Sequence, residues 1–337
     1  MDELTAEPRQ NAHALPRHQD RLASLLQGLD LSTTSGLEIG PLHNPILHKP
    51  DARVLYVDHV GTEALREKYG PDPQVDPARI VEVDIVWDGG SLDEACGHRR
   101  FDYVVASHVI EHVPDLIGWL AQLKSVLHPS GTIRLIIPDR RYCFDYRRET
   151  SSVADMILAA RAGSTIPGSR QILDFMLNIA ALDLAEAWNG EPGAGPPPQR
   201  RDYDQAMATM QHALSQNAYH DVHCWVFTPL AFASLMRQLA AYGLLGFACT
   251  CCTATAPGSL DFFVHLMATD DERLIADTWA WAVQQHEPER RGDDIAARLR
   301  GELAVLRGSR SWRLTAPLRR LSARLQQERQ LLLQRRR

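Results

Sequence analysis

Apolar residues follow two rhythms along this chain. From Gly36 to about Ile137, short runs rich in Val and Ile alternate with stretches of helical periodicity. The runs are Leu37-Glu-Ile, Val54-Leu-Tyr-Val, Ile80-Val-Glu-Val, Phe101-Asp-Tyr-Val-Val-Ala and Thr132-Ile-Arg-Leu-Ile-Ile, each the length of a strand. Before the third run stands only the turn-rich Tyr69-Gly-Pro-Asp-Pro. Between the last two, Leu116 to Leu127 is helical, and Pro129-Ser-Gly131 reads as its closing turn. Strands joined by crossovers predict a parallel sheet covered on both faces.

The rhythm changes over 150–217. Val153 to Ala162, Gln171 to Trp188 and Gln205 to Gln216 read as helices, with a Pro/Gly linker from Gly190 to Pro198. This predicts a helical cap inserted over the sheet. Thr228 and Pro229 then form a helix start, an N-cap followed by proline in the first turn. That helix runs to about Tyr242 and ends at Gly243 and Gly246. Two strand-like runs, Phe247 to Ala254 and Asp261 to Ala268, flank a hairpin signal at Ala256-Pro-Gly-Ser. From Asp271 onward the chain is helical and charged. The expected organisation is an N-terminal helical segment (1–32), a core in two pieces (33–149 and 218–270), the cap (150–217) and a helical basic tail (271–337).

Charge sharpens this division. The net charge of −6 is unevenly spread. From Ala304 to Arg337 there are ten arginines and one acid, Glu328, so this stretch carries +9 and the remaining chain −15. An acidic body argues against nucleic acid as a partner. The six cysteines, three of them in Cys249-Thr-Cys-Cys252, make a poor disulfide framework and lack zinc-finger spacing. No run approaches ~18 apolar residues, as a membrane span requires. The acidic, polar start MDELTAEPRQ is unlike a signal peptide. The cytoplasm is the expected compartment.

The candidate chemistry lies at the ends of the strand-like runs. The first ends Glu38-Ile39-Gly40, where glycine permits a tight turn and close approach to a ligand. Asp58 ends the second run and Asp84 the third. In open α/β sheets, ligands bind beyond the carboxyl ends of the strands, at the switch in strand order. Acids at three successive strand ends suit the ribose hydroxyls and exocyclic amine of a nucleoside. Histidines gather nearby: His43, His108, His112, His220 and His223. If 107–117 is helical, His108, Glu111 and His112 share one face.

These residues carry a resemblance. Leu37-Glu-Ile-Gly40, Asp58, Asp84, the block Phe101 to Asp115 (FDYVVASHVIEHVPD) and Leu127-His-Pro-Ser-Gly-Thr132 resemble class I S-adenosylmethionine-dependent methyltransferases. The resemblance covers about 33–145 and 219–269. It implies a Rossmann-like, doubly wound, seven-stranded α/β sheet whose last two strands form an antiparallel hairpin. It also implies S-adenosyl-L-methionine as cofactor. Glu38 and Gly40 would lie at its methionine and ribose part, Asp58 at the ribose hydroxyls, Asp84 and Ile85 around adenine, and Ser107 at the methionine end. The family's glycine-rich loop departs here, with Leu42 and Asn44 where later glycines are expected. A nicotinamide dehydrogenase fits less well, because Gly-Pro-Leu-His-Asn-Pro cannot supply G-x-G-x-x-G.

Methyl transfer to a hydroxyl requires loss of its proton, which assigns acid–base or holding roles to His108, Glu111 and His112. The block is one glutamate short of a Glu-and-His metal set, so no metal is assigned, although His220 or His223 would supply a further ligand. Arg140, Arg141 and Tyr142 follow the fifth run and, with His220 and His223, are the expected acceptor contacts. Arg and Tyr suit a carboxylate, a phosphate or a sugar ring. Trp188, Trp225 and Tyr203 are sugar-stacking or core residues.

In the tail, Ser311-Trp-Arg-Leu-Thr-Ala-Pro-Leu-Arg319 is similar to a segment of bacterial surface-polysaccharide glycosyltransferases. Beyond it, leucines alternate with arginines, as in a basic amphipathic helix that lies on anionic membrane or pairs subunits. The expected activity is O-methylation of a sugar hydroxyl on a surface polysaccharide or lipid-linked glycan. The alternatives are a small-molecule O- or N-methyltransferase and a non-catalytic scaffold. Expected partners are that acceptor, an anionic membrane surface through the tail, and a second copy of the chain.

Overall fold

The computed structural model describes residues 23–73, 75–189 and 200–287. Seven strands form one sheet: β1 (Ser35–Ile39), β2 (Arg53–Asp58), β3 (Ile85–Val86), β4 (Phe101–Ser107), β5 (Leu127–Pro138), β6 (Phe247–Cys252) and β7 (Asp261–Ala268). Their order is β3-β2-β1-β4-β5-β7-β6. Strands β1 to β5 are parallel, and β7 runs antiparallel between β5 and β6. This is the doubly wound α/β sheet with a closing hairpin that the sequence predicts.

The runs are apolar throughout because they are covered on both faces. Along β4, Val104 and Ala106 point into a large core with Leu37, Ile39 and Val57. Tyr103 and Val105 point into a smaller core with Val54, Tyr56 and Leu25. The period of two thus assigns alternate residues to opposite cores.

Two expected elements differ. The third strand is only Ile85–Val86, so Asp84 precedes it rather than closing it. Asp84 N donates to Tyr56 O (2.9 Å) and Tyr56 N donates to Asp84 Oδ2 (2.7 Å), so a side chain takes one place in the ladder. The turn at Pro129-Ser-Gly131 lies within β5 as a bulge: the register with β4 jumps there, and Ser130 has φ +64.

Helices α1 (Thr62–Tyr69), α2 (Leu92–Ala95) and α3 (Leu116–Ser125) connect the parallel strands. The cap carries α4 (Val153–Ala162), α5 (Ser169–Asn178), α6 (Leu184–Trp188) and α7 (Arg200–Gln216), and α8 (Pro229–Ala241) returns to the sheet. The single helix expected over 171–188 is split. Ala180 N donates to Phe144 O (2.8 Å), and Asp183 starts α6 as a new N-cap. A last helix, over 272–287, belongs to the core rather than to the tail: Ile275, Trp279, Ala282 and Val283 are buried in it. Trp279 Nε1 donates to Phe247 O (3.0 Å). No helix among the described residues is long and apolar enough to cross a membrane. The basic stretch 304–337, with its expected membrane or pairing role, lies outside the described residues, as does most of the N-terminal segment.

Candidate active site

Strand order reverses at β1, which has β2 on one side and β4 on the other. A cavity of ≈ 270 Å³ opens there, lined by Glu38–Asn44 with Ser107 and His108. Its position is the one that parallel sheets give to ligands. Gly40 leaves β1 with φ +64, and its N–H donates to Val57 O (2.9 Å). A Cβ on Gly40 would stand 3.1 Å from Val109 Cγ2. Leu42 also has positive φ, +45. The loop therefore keeps a glycine-like backbone at the position where the sequence departs from the glycine-rich pattern, and a leucine bears the strain.

Glu38 explains how that loop is held. Its two oxygens accept from Ile46 N (2.6 Å) and Leu47 N (2.9 Å). The carboxylate therefore clamps the loop and shapes the cavity from behind. Burial lifts its pKa to about 7, against the opposing pull of the two backbone N–H groups.

A left-handed non-glycine residue costs about 1–2 kcal/mol, and glycine's extra chain freedom costs about 0.5–1 kcal/mol. We therefore expect Leu42→Gly to stabilise the protein by up to about 1 kcal/mol. Gly40→Ala should destabilise it by about 1–2 kcal/mol, because it adds both strain and contact with Val109. Thermal unfolding of the two variants checks the opposite signs. A fall in Tm for Leu42→Gly contradicts this account of the loop.

The other expected cofactor residues divide. Asp58 is buried at the end of β2, and His59 donates to its Oδ1 from N (2.8 Å) and pairs with it through Nδ1 (2.6 Å). Both contacts fall on one oxygen, and Oδ2 has no hydrogen-bond partner among the described residues. Ser107 lines the cavity at the end of β4. Asp84 is committed elsewhere: beside its bond from Tyr56 N, it pairs with Lys49 Nζ at 2.7 Å. Ile85 is buried in the larger core, and the exposed Val86 follows it. Neither Asp58, Asp84 nor Ile85 lines the cavity itself.

No α-helix carries the histidine block. His108 N continues the sheet by donating to Ile136 O (3.0 Å), and the residue turns left-handed with φ +53. A short 3-10 turn covers Ile110–His112, and α3 begins only after Asp115, whose carboxylate caps it. The turn still brings His108 Nδ1 to 3.4 Å from Glu111 Oε1. His108 Nε2 stands 3.4 Å from Asp261 Oδ2. Burial disfavours the imidazolium, but the Asp261 and Glu111 carboxylates outweigh it and raise the His108 pKa to about 9. Burial alone would raise Glu111, yet His108 and the neighbouring histidines hold it below its ordinary value.

His112 faces the other way. Its Nδ1 stands 2.8 Å from Asp221 Oδ1, and its ring meets that of His223 edge-on at 4.6 Å. His223 is buried, with Nδ1 held by Asp145 Oδ2 at 2.5 Å. His220 lies apart, exposed and paired with His212 (3.0 Å).

The loop after β5 is more internal than a solvated acceptor loop. Arg141 grips Asp139 through Nε (3.0 and 3.1 Å) and Nη2 (2.7 Å). Arg140 Nη2 donates to Tyr146 O (3.0 Å). Tyr142 stacks on Trp188 with ring centroids 4.0 Å apart. Trp225 is a core residue whose Nε1 donates to Val113 O (2.6 Å). Tyr203 is 47% exposed on the cap.

Sequence reasoning missed three carboxylates as site residues: Asp145, Asp221 and Asp261. Asp221 stands between the two histidines of His220-Asp-Val-His223, which was its one local signal. Asp145 and Asp261 meet their histidines only through the fold, 78 and 153 residues away.

Residues 9–242 match the family described as a methyltransferase domain. No curated protein matches the chain. Among solved structures it is similar to the CcbJ methyltransferase from Streptomyces caelestis, at 20% identity over 43% of this chain and 62% of that one, with TM-score 0.29. It is similar to magnesium protoporphyrin IX methyltransferase from Synechocystis PCC 6803 with bound SAH, at 10% identity over 74% of this chain and 81% of that one, with TM-score 0.31. A Rhodobacter sphaeroides protein described as a zinc-dependent alcohol dehydrogenase is also similar, at 11% identity over 75% of this chain and 90% of that one, with TM-score 0.41. The chain thus spans less than two thirds of the CcbJ protein.

Proposed function

Because the chain belongs to the methyltransferase-domain family, we propose that it transfers a methyl group from S-adenosylmethionine to a hydroxyl oxygen of a neutral, sugar-like acceptor. The donor fits the residues present. Gly40 brings backbone close to the cavity, Ser107 lines its wall, and Asp58 keeps one oxygen unengaged by the described residues at the adjacent strand end. When bound, S-adenosylmethionine supplies an electrophilic methyl group on a sulfonium centre.

The observation that carries the reading is the place of His108. It lines the cavity and is backed by two buried carboxylates, Glu111 and Asp261. A ring so placed holds the acceptor's oxygen where the methyl group arrives. The neutral ring, whose share grows as the pH rises toward 9, accepts the proton that the acceptor's hydroxyl must lose. The carboxylates behind it stabilise positive charge on the ring.

The pairing of two arginines of this loop supports a neutral acceptor. Arg141 is paired with Asp139, and Arg148 with Asp145 and Asp174, so neither offers the open fork that binds an anionic group. Arg140 pairs with no carboxylate among the described residues and keeps Nε without a partner there. The finer identity, a sugar of a surface polysaccharide or of its lipid-linked precursor, rests on the segment 311–319, outside the described residues. In that setting the tail binds anionic membrane and the protein is peripheral at the inner face.

The test is transfer from labelled S-adenosylmethionine to nucleotide sugars, lipid-linked glycans, phenols and amines, with products identified by mass. A methyl ether on a sugar is expected. Transfer confined to amines or phenols overturns the acceptor. Failure to bind S-adenosylhomocysteine at all favours a non-catalytic scaffold.

Cofactor binding gives a second prediction. Hydrogen bonds to a charged group contribute about 1.5–3 kcal/mol, so Asp58→Ala should weaken S-adenosylhomocysteine roughly 10- to 150-fold. Calorimetry reads this directly. Unchanged affinity in a folded variant removes Asp58 from the cofactor site.

A further inference from the structure

We propose that Glu111, His112 and His223 form a binding site for one divalent transition-metal ion beside the cofactor cavity. One ligand atom from each lies within 4.8 Å of the others. A tetrahedral ion with bonds of about 2.1 Å brings its ligand atoms to about 3.4 Å of one another. The three side chains therefore need to close by no more than about 1.4 Å, within reach of side-chain rotation.

The strongest sign is Glu111. It has no exposed surface, and neither carboxylate oxygen accepts a well-formed hydrogen bond from the described residues. Buried carboxylates are otherwise paired or hydrogen-bonded, because an uncompensated buried charge is costly. His108 pairs with Oε1 at 3.4 Å, so Oε2 is the oxygen left without any partner among the described residues. A cation at the triad satisfies the carboxylate.

One of the two histidines is already oriented as a ligand. Asp145 holds Nδ1 of His223, which fixes the proton there and leaves the lone pair on Nε2, the arrangement that supports metal-bound imidazole. Nδ1 of His112 stands 2.8 Å from Asp221 Oδ1 but makes no well-formed hydrogen bond among the described residues. The Asp145 carboxylate is itself held by Arg148 Nη1 at 2.8 Å.

The backbone locks the two contributing segments together. Glu111 O accepts from Cys224 N (2.6 Å) and Trp225 N (3.1 Å). Tyr219 Oη donates to His112 O (3.2 Å). His223 is thus delivered to the 3-10 turn by the extended return from the cap.

Two imidazoles and one carboxylate suit Zn²⁺, Co²⁺, Fe²⁺ or Mn²⁺ and leave coordination positions open. Mg²⁺ and Ca²⁺ prefer sets made of oxygen alone. The metal's role, though not its binding, rests on the methyl-transfer reading. An acceptor hydroxyl bound at an open position would lose its proton to solvent more readily. Its oxygen would then form the new O–C bond as the S–C bond breaks, leaving S-adenosylhomocysteine.

The experiment uses the full chain, stripped with chelator and titrated with Co²⁺, then with Zn²⁺ in competition. Wild type should bind one Co²⁺ per chain, with a visible d–d band that Zn²⁺ abolishes. Glu111→Gln, which is nearly isosteric, and His223→Gln should each weaken Co²⁺ by at least about 100-fold, beyond the 10–100-fold typical of losing a group that only orients a ligand. His212→Ala, in the separate exposed pair, should leave binding unchanged. Near-ultraviolet circular dichroism and S-adenosylhomocysteine affinity monitor folding of each variant. No d–d band in wild type, or equal binding by both site variants, overturns the site. Methyl transfer that persists after complete metal removal overturns the metal's role while sustaining the reaction. Metal binding without transfer to any acceptor leaves the site standing and counts against the reaction.

Discussion

His108→Ala should lower the rate of methyl transfer about 10²–10⁴-fold, the range for losing an acid–base group. Affinity for S-adenosylhomocysteine should change little, because the contacts proposed for that ligand are with Asp58 and the β1 loop. Alanine alone is an ambiguous test, since His108 sits at φ +53 and any Cβ-bearing residue is strained there. Asn tolerates the left-handed region better than most residues. His108→Asn therefore separates the ring from the backbone: it should keep the turn and still lose most of the rate. Single-turnover kinetics with saturating cofactor checks both variants. Near-normal turnover in His108→Asn removes the ring from the reaction. A loss of cofactor affinity equal to the loss in rate assigns His108 to the binding wall instead.

The sheet was legible in the sequence because its central strands are covered on both faces. Leu37, Val57, Val104, Ile133 and Ile137 read as strand residues without any knowledge of which core each one faces; all five are buried in the larger one. The third strand lies later than its composition suggests, because the run from Ile80 to Val83 pairs elsewhere. Val81 N donates to Leu42 O (3.0 Å) and Val83 N to Thr62 Oγ1 (2.9 Å), so the ladder begins only at Ile85. The cap helix α4 was legible to the residue, since Ser152 caps its start and Gly163 ends it with φ +58.

The candidate site was legible only in part. Gly40 follows from a strand end, which a sequence reveals, and Ser107 from the family resemblance; both line the cavity, whereas Asp58, also read from a strand end, does not. The grouping of His108 with Glu111 is what a helix would give, and it arises instead from a left-handed residue followed by a 3-10 turn. The pairing of His223 with Asp145 had no local signature. It depends on the cap returning beside β5, and no periodicity encodes contacts between segments that far apart in the chain.

Arg148→Met should destabilise the protein by about 3–5 kcal/mol, the cost of removing one partner from a buried ion pair. Arg148 is only 1% exposed. Its Nη1 donates to Asp145 Oδ1 and its Nε to Asp174 Oδ2, each at 2.8 Å, and its guanidinium lies 5.5 Å from the centre of the Phe175 ring. It therefore ties the loop after β5 to α5 of the cap. Methionine keeps much of the side-chain volume, so the loss is of charge and hydrogen bonds rather than packing. Asp145 would remain buried beside His223, without the guanidinium. Because folded domains are stable by only about 5–15 kcal/mol, the variant should unfold at markedly lower denaturant. Removing the stranded charge as well, in Arg148→Met with Asp145→Asn, should cost less than the sum of the two single changes, as expected for groups in direct contact. Urea unfolding of the four proteins completes the cycle. A single-variant cost below about 1 kcal/mol, in the range of exposed pairs, would show that this ion pair does not hold the cap to the sheet.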